Sequence, residues 1–185
     1  MGEIRIRAVT EEDAAALLEI YAYYVRETIV TYEYEVPTEA EFRERIRKTK
    51  ESYPYFAAVE EGRILGYAYG AAFHPRAAYQ WAAEVSIYLR QESRGRGVGR
   101  LLYTALEQAL RQQNVWNCNA CIADPNPQSI AFHEKMGYRL AGRFTDCAYK
   151  QGRWLGMIWM EKQLGMHPNP PKPFLPYPIA EKEKR

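Results

Sequence analysis

The stretch Arg94-Gly95-Arg96-Gly97-Val98-Gly99 is rich in glycine, carries two arginines and joins a strand-like run to a helix-like run. The preceding residues 85–89 are β-branched, apolar or aromatic, and apolar side chains recur at helical spacing over residues 101–110. At such a junction the free N–H groups of the first helical turn point outward together, and glycine lets the main chain approach an anion closely. The stretch therefore predicts a loop that binds phosphate or pyrophosphate.

Other glycine-rich loops fit this stretch less well. A P-loop needs Lys followed by Ser or Thr after its last glycine, whereas Arg100 and Leu101 follow Gly99 here. A dinucleotide fingerprint needs the spacing G-x-G-x-x-G near the front of a βαβ unit, but these glycines are evenly spaced and lie mid-chain. A tight surface turn with solubilising arginines is the remaining alternative.

Composition indicates one domain with a sizeable core, because 47% of the 185 residues are hydrophobic. The net charge of +2 is too small to indicate nucleic acid as the main partner, and a local site for a small anion fits better. No apolar run is as long as a membrane span, and residues 1–7 lack the apolar stretch of a secretory signal. We therefore expect a cytoplasmic protein without a membrane partner.

The three cysteines fit a reducing compartment. Cys118 and Cys121 form a C-x-x-C pattern, which occurs in redox pairs and in half of many zinc sites. They fall in a strand-like run, however, where residues three apart point to opposite faces. With no second cysteine pair and with histidines far apart in sequence, we expect neither a metal nor a redox role.

Periodicity and capping residues predict a mixed α/β fold with helices on both sides of one sheet. Thr10 with Asp13 and Thr38 with Glu41 resemble helix caps, and Asn126 precedes a favourable Pro127. The predicted order is a strand, two helices, three strands, a central helix, a strand, a short helix and two strands. This domain spans residues 1–165, and six prolines predict an extended tail over residues 166–185.

The motif formed by Arg94, Gly97 and Gly99 resembles the cofactor motif of the GNAT superfamily of N-acetyltransferases. Residues 78–88 (AYQWAAEVSIY), residues 126–138, the turn at 152–154 and the proline-rich tail resemble phosphinothricin N-acetyltransferases and their methionine sulfoximine-acetylating relatives. The resemblance implies a mostly antiparallel, twisted sheet and acetyl-CoA as co-substrate. It also implies that the strand after the glycine helix splays from its neighbour, and that the protein forms a homodimer.

The resemblance further implies which residues hold acetyl-CoA. The backbone of the central strand would lie along the pantetheine arm, the glycine loop would hold the pyrophosphate, and the next helix would add a hydrogen bond. The implied residues are Ile87, Tyr88 and Leu89 for the arm, Arg94, Gly95, Arg96, Gly97, Val98, Gly99 and Arg100 for the pyrophosphate, and Asn126.

Glu84 and His133 are the candidate catalytic residues. An amine attacks a thioester only as the free base, and Glu84 lies in an apolar strand where desolvation would raise its pKa toward that of a useful base. The alternative is a glutamate on a solvent face or paired with an arginine. His133 lies where many superfamily members have a tyrosine facing the departing thiolate, and the closer relatives also have histidine there. A structural histidine beside Phe132 is the alternative.

Arg76 and Tyr32 are the candidate acceptor-binding residues. An anionic amino-acid analogue needs fixed positive charge, which Arg76 would supply just before the central strand. Tyr32 matches an aromatic position of the relatives' pocket, with core packing as the alternative. Residues 31–34 differ from the relatives' usual ones, and Glu33 and Glu35 add negative charge.

Three functions fit the sequence. The first is acetylation of the α-amine of a small amino-acid analogue such as phosphinothricin or methionine sulfoximine. The second is acetylation of another amine, such as a polyamine, an aminoglycoside or a protein N-terminus. The third is a non-catalytic module that binds acyl-CoA.

Overall fold

The computed structural model describes residues 2–177, and its elements follow the predicted order. The helices are α1 (Ala14–Glu27), α2 (Glu39–Lys50), α3 (Val98–Gln112) and α4 (Pro127–Lys135). The strands are β1 (Arg5–Ala8), β2 (Tyr55–Glu60), β3 (Arg63–Ala72), β4 (Ala82–Leu89), β5 (Asn117–Asp124), β6 (Arg139–Lys150) and β7 (Arg153–Gln163).

Within the described residues the strands form one sheet in the order β1-β2-β3-β4-β5-β7-β6. Neighbouring strands run antiparallel except β4 and β5, which pair in parallel. That parallel pairing joins only Ala82 to Glu84 with Asn117 to Asn119, so the two strands separate beyond Glu84. The separation opens a gap in the middle of the sheet, as the resemblance implied.

Helices cover both faces of the sheet, as predicted. Tyr55 and Ala57 of β2 pack with α1 and α2, whereas Phe56 and Ala58 pack with α3. This alternation follows from the two-residue period of a strand, which sends successive side chains to opposite faces. The fold is therefore a mixed, mostly antiparallel sheet with an apolar core on each side.

The predicted caps set where helices begin. Thr38 accepts a hydrogen bond from the Glu41 backbone N–H, and the Glu41 side chain accepts one from the Thr38 N–H at 2.7 Å. The Asn126 side chain accepts from the Ser129 N–H at 3.1 Å, with Pro127 as the first residue of α4. Thr10 and Asp13 cap a short 3-10 turn that leads into α1.

The described part of the proline-rich tail lies against the domain. Phe174 and Tyr177 pack on the α3-side core, and the Trp81 indole N–H donates to the Lys172 carbonyl at 2.7 Å. The buried Gln113 side chain donates to the carbonyls of Ser52 at 2.6 Å and Leu175 at 2.9 Å. The division of the chain at residue 165 stays a prediction, and residues 178–185 of the predicted tail lie outside the described residues.

Cys118 is buried and Cys121 exposed, which agrees with their placement on opposite faces of one strand. Residues 2–177 contain no group of three or more His, Cys, Asp or Glu arranged to hold a metal ion. None of the helices in this part of the chain has the length and apolar character needed to cross a bilayer.

Candidate active site

The glycine loop forms a cradle at the start of α3. Gly95 and Gly97 have φ angles of +75° and +81°, a conformation that side-chain-bearing residues rarely adopt. The Leu101 N–H donates the first helical hydrogen bond of α3, to the Gly97 carbonyl at 3.1 Å. The N–H groups of Val98, Gly99 and Arg100 precede it and have no partner within the helix, so they are available to an anion.

Close packing explains why position 99 is a glycine. A Cβ at this position would lie 3.0 Å from the Phe132 ring of α4 and 3.5 Å from the Ile87 side chain. The absence of a side chain lets α3 start close to both β4 and α4. The anion cradle therefore lies directly beside the gap in the sheet.

The two arginines of the loop make contacts within the protein. The Arg94 guanidinium lies over the Tyr24 ring at 5.6 Å from its centroid and donates to the Tyr24 hydroxyl at 3.2 Å. Arg96 forms a partly buried ion pair with Glu60 at 2.7 Å. Arg100 is exposed in the first turn of α3. The structure therefore gives Arg96 a role in shaping the loop, and leaves the backbone N–H groups and Arg100 facing outward.

A cleft occupies the gap between β4 and β5. Its lining includes residues of both strands and of the helices on the α3 side, among them Val85, Ile87, Tyr88, Tyr103, Asn126 and His133. Asn126 uses its side-chain oxygen to cap α4, which leaves its NH₂ group for other partners. Ile87 lines the cleft and lies beside Gly99, so the cleft runs next to the cradle along the middle of the sheet, where a long, thin cofactor arm would fit.

Along β4 the backbone N–H groups point alternately toward β3 and toward the cleft. The Arg90 N–H donates to the Leu65 carbonyl of β3 at 2.8 Å, so the N–H groups of Leu89, Ile87 and Val85 point the other way. The Leu89 N–H is engaged by the Tyr24 hydroxyl at 3.1 Å, and that hydroxyl donates to the Leu89 carbonyl at 2.6 Å. The Val85 N–H lies within the parallel pairing of Glu84 with Asn119, so the Ile87 N–H is the one that faces the open part of the cleft.

Glu84 lies where β4 and β5 stop pairing, opposite Asn119. Its side chain points to the α1 side of the sheet, opposite to its buried neighbours Ala83 and Val85. Burial raises its pKa, and among residues 2–177 no hydrogen bond or ion pair to its carboxylate is formed. A half-buried carboxylate without a cation beside it is suited to accept a proton.

His133 is on the opposite side of the cleft and is almost fully buried. Its Nδ1 lies 2.8 Å from the Ser129 carbonyl, which only accepts, so Nδ1 carries the proton and Nε2 accepts from the Tyr103 hydroxyl at 2.9 Å. Burial lowers the pKa of His133. The imidazole is therefore neutral at pH 7, and its two nitrogens are both engaged.

Tyr32 lies near Glu84 on the α1 side. Its hydroxyl donates to the Gly156 carbonyl of β7, and burial raises its pKa, with Cys147, Cys121 and Asp124 close enough to add to the effect. Burial raises the pKa of the Cys121 thiol to about 12, and the nearby Glu84 carboxylate adds to this effect. Tyr32 and Glu84 thus both lie close to Cys121, on the α1 side of the sheet.

Arg76 belongs to the loop between β3 and β4, and its side chain is exposed. The loop reaches β7 through Phe73, whose ring lies 5.7 Å from that of Trp159. Trp159 pairs with Cys121 in the sheet, so the loop borders the α1 side of the cleft. No contact joins the described Arg76 side chain to Glu84 or Tyr32.

Three residues with a place in this site were not singled out from the sequence. Tyr103 fits the apolar period of α3 and was indistinguishable from a core residue, yet it lines the cleft and bonds His133. Tyr24 holds the end of β4, and Lys150 holds the loop before Tyr32. Each acts through a contact between residues more than 25 apart in sequence, which no local pattern records.

A helix start with available N–H groups, beside a gap between two diverging parallel strands, fits a cofactor that has a pyrophosphate and a long arm. Comparison with known proteins identifies the protein further. The chain belongs to the GNAT acetyltransferase family, whose acetyltransferase (GNAT) domain matches residues 6–159. It is an N-acetyltransferase with acetyl-CoA as the acetyl donor.

Individual relatives point to one branch of the family. The chain is 34% identical to a phosphinothricin N-acetyltransferase of Streptomyces coelicolor, over 88% of this chain and 98% of the relative. It is 30% identical to an L-methionine sulfoximine/L-methionine sulfone acetyltransferase of Pseudomonas paraeruginosa, over 86% and 94% of the two chains. A Sinorhizobium meliloti phosphinothricin acetyltransferase, crystallised with acetyl-CoA, superposes with a TM-score of 0.86 at 34% identity, covering 94% of this chain and 98% of that one.

Proposed function

We propose that this enzyme acetylates the α-amine of a small, anionic amino-acid analogue of the phosphinothricin or methionine sulfoximine type. One observation supports this most: Glu84, half-buried and without a hydrogen-bond or ion-pair partner among residues 2–177, lies where the central strands diverge, beside the cleft lined by Val85 and Ile87. The names of the relatives indicate the acceptor class.

In this proposal acetyl-CoA and the acceptor approach from opposite sides of the sheet. Acetyl-CoA, when bound, supplies the thioester carbonyl that a free amine attacks. Val98, Gly99 and Arg100 bind the pyrophosphate through their N–H groups, and Asn126 donates a hydrogen bond from α4. The acceptor enters from the α1 side, where Glu84 removes a proton from its ammonium group.

The backbone of β4 acts on the negative charge that forms on the carbonyl oxygen, and the Tyr103–His133 pair acts on the departing sulfur. The Ile87 N–H donates to the carbonyl oxygen as negative charge grows on it. The Tyr103 hydroxyl lines the cleft, where its one proton is donated to His133 Nε2; on turning toward the sulfur it would break that bond and donate the proton there instead. In this arrangement His133 acts on the thiolate through Tyr103.

Charges on the acceptor side favour an anionic amino acid. Glu33 is neutralised by Arg45 at 2.7 Å, which reduces the negative charge that its presence in the loop suggested. Arg76 has no carboxylate partner among residues 2–177 and is free to bind an acidic group of the acceptor.

Thiol release from acetyl-CoA, measured across phosphinothricin, methionine sulfoximine, methionine sulfone, ordinary amino acids and polyamines, tests the proposal. We expect the highest kcat/KM with the anionic analogues, and we expect Arg76→Ala to raise KM for them. Higher activity with polyamines that Arg76→Ala leaves unchanged would favour the second function. Binding of acetyl-CoA without thiol release from any amine would favour the non-catalytic module.

We propose that the enzyme is a homodimer that uses β6. This strand is at the edge of the sheet. Four large apolar residues on β6 and at the start of β7 are about half exposed or more: Leu140, Phe144, Tyr149 and Trp154. Light scattering should give twice the mass of the chain, and Phe144→Glu should shift it to the monomer. A monomeric wild-type protein would refute this assembly.

We also propose a cytoplasmic location, which the three free cysteines support because thiols persist in a reducing compartment. Fractionation of cells that make the protein would test this.

A further inference from the structure

Lys150 is a buried lysine without an ion-pair partner. It is the last residue of β6, its relative exposure is 4%, and its ammonium donates to the carbonyls of Val25 at 2.9 Å and Thr31 at 2.7 Å. Within residues 2–177 no carboxylate lies within ion-pair distance of it. The nearest charge that acts on it is Glu33, which is already paired with Arg45. Burying a charge against neutral acceptors is unfavourable in itself, so its contacts need an explanation beyond stability.

The two acceptors of Lys150 are at the two ends of one short segment. Val25 is in the last turn of α1, where carbonyl groups lack helical partners and a positive charge is favourable. Thr31 lies three residues after Thr28, the residue that ends α1, and it immediately precedes Tyr32. One ammonium therefore sets the path of the chain as it leaves α1.

Further contacts tie this segment to the β6–β7 hairpin. The Tyr34 hydroxyl donates to the Tyr149 carbonyl, and the Tyr32 hydroxyl donates to the Gly156 carbonyl. Val30, in the same segment, lines the cleft between β4 and β5. The segment thus forms a wall of the site, and Lys150 is its most buried attachment to the hairpin.

We infer that Lys150 is a positioning residue, which holds residues 28–34 against the β6–β7 hairpin and so places Val30 and Tyr32 at the acceptor side of the cleft. The inference rests on the proposed function only in assigning that side to the acceptor. Lys150 touches neither the cradle nor Glu84, so its effect is on acceptor binding and not on the affinity for acetyl-CoA.

Lys150→Met tests the inference, because methionine keeps the length of the side chain and removes its hydrogen bonds and charge. Lys135→Met, at an exposed position of α4, is the matched control. Hydrogen exchange should increase in residues 28–34 by about tenfold or more, as expected for losing hydrogen bonds to a charged donor, and should stay unchanged in β2, β3 and β4. KM for the acceptor should rise while the Kd of acetyl-CoA stays at its wild-type value. Lys150→Arg, which keeps donors and charge, should restore part of the protection.

Two results would overturn the inference. One is unchanged exchange in residues 28–34 together with an unchanged KM. The other is faster exchange throughout the protein with weaker acetyl-CoA binding, which would make Lys150 a residue of general stability. If Lys150→Met does not fold, Lys150→Gln replaces it, and its single amide group should give an intermediate rise in exchange. A wild-type protein inactive on every acceptor would refute the proposed function, while the exchange measurement would still decide the role of Lys150.

Discussion

Replacing Glu84 by glutamine keeps the size of the side chain and removes its ability to accept a proton. In the structure this carboxylate is half-buried, lies where β4 and β5 diverge and has no hydrogen-bond or ion-pair partner among residues 2–177, so it is available to accept a proton. General-base catalysis contributes about 10²- to 10⁴-fold. We therefore expect Glu84→Gln to lower kcat/KM by a factor in this range, about 2.7–5.5 kcal/mol of transition-state stabilisation.

The raised pKa of Glu84 also predicts the pH dependence. Activity should fall as the pH drops through this pKa, because the protonated carboxyl cannot accept the proton of the amine. A group whose pKa is higher in the folded than in the unfolded state favours folding below its unfolded pKa, and this contribution is lost as the pH rises through its folded pKa. At pH 7 the buried charge of Glu84 therefore opposes folding, and Glu84→Gln should be at least as stable as the wild type.

Three measurements check this: kcat/KM between pH 5 and 9 from thiol release, the Kd of acetyl-CoA by calorimetry, and the melting temperature. The exposed Glu134→Gln on α4 is the control for a lost negative charge. We expect lower activity only in Glu84→Gln, with acetyl-CoA affinity and stability preserved. A Glu84→Gln enzyme with wild-type kcat/KM and an unchanged acidic limb would refute the assignment of the base. Loss of acetyl-CoA binding would instead place Glu84 at the cofactor.

Three more predictions concern the cradle, the tail and the histidine. Gly97→Val should weaken acetyl-CoA binding about tenfold by calorimetry, because valine at a φ of +81° is strained by about 1–2 kcal/mol, so the free loop leaves the conformation that presents its N–H groups and binding must restore it. Gln113→Ala should lower the free energy of unfolding by about 1–3 kcal/mol in urea, since the part-buried Leu175 carbonyl loses the side-chain donor and the Ser52 carbonyl keeps the Tyr177 N–H, whereas the exposed Gln128→Ala should change it little. The lowered pKa of His133 means that its contribution to stability is present above its unfolded pKa of about 6.5 and falls as the pH drops below it. The stability difference between wild type and His133→Asn should therefore decrease from pH 7 to pH 5, and a constant difference would contradict a buried, neutral imidazole.

The elements and their order could be predicted because their determinants are local. Side-chain periodicity distinguishes strand from helix, and Thr38 with Glu41 and Asn126 with Pro127 mark helix starts through contacts within four residues. The glycine loop is equally local, since Gly95 and Gly97 adopt positive φ where only glycine does so readily. These features allowed the fold class to be predicted correctly and, with the resemblance, the family and the cofactor.

The contacts of the charged and aromatic side chains could not be predicted. Arg96 has the sequence context of a phosphate ligand, but Glu60 is 36 residues away and pairs with it. Leu89 has the expected place along the cofactor arm, yet the Tyr24 hydroxyl occupies its N–H from a distance of 65 residues. Such partners meet only after the sheet and helices pack together.

The sequence by itself determined the glycine cradle, the strand that carries Glu84 and the family to which they belong, because spacing along one strand or one helix is enough to specify them. Only the tertiary structure decided which groups remain available at the site. Among residues 2–177 it left Glu84 without a cation beside it, engaged both nitrogens of His133, and placed a buried Lys150 behind the loop of Tyr32. The physical reason is that availability depends on partners and burial, which arise from packing between distant segments and leave no pattern in the local sequence.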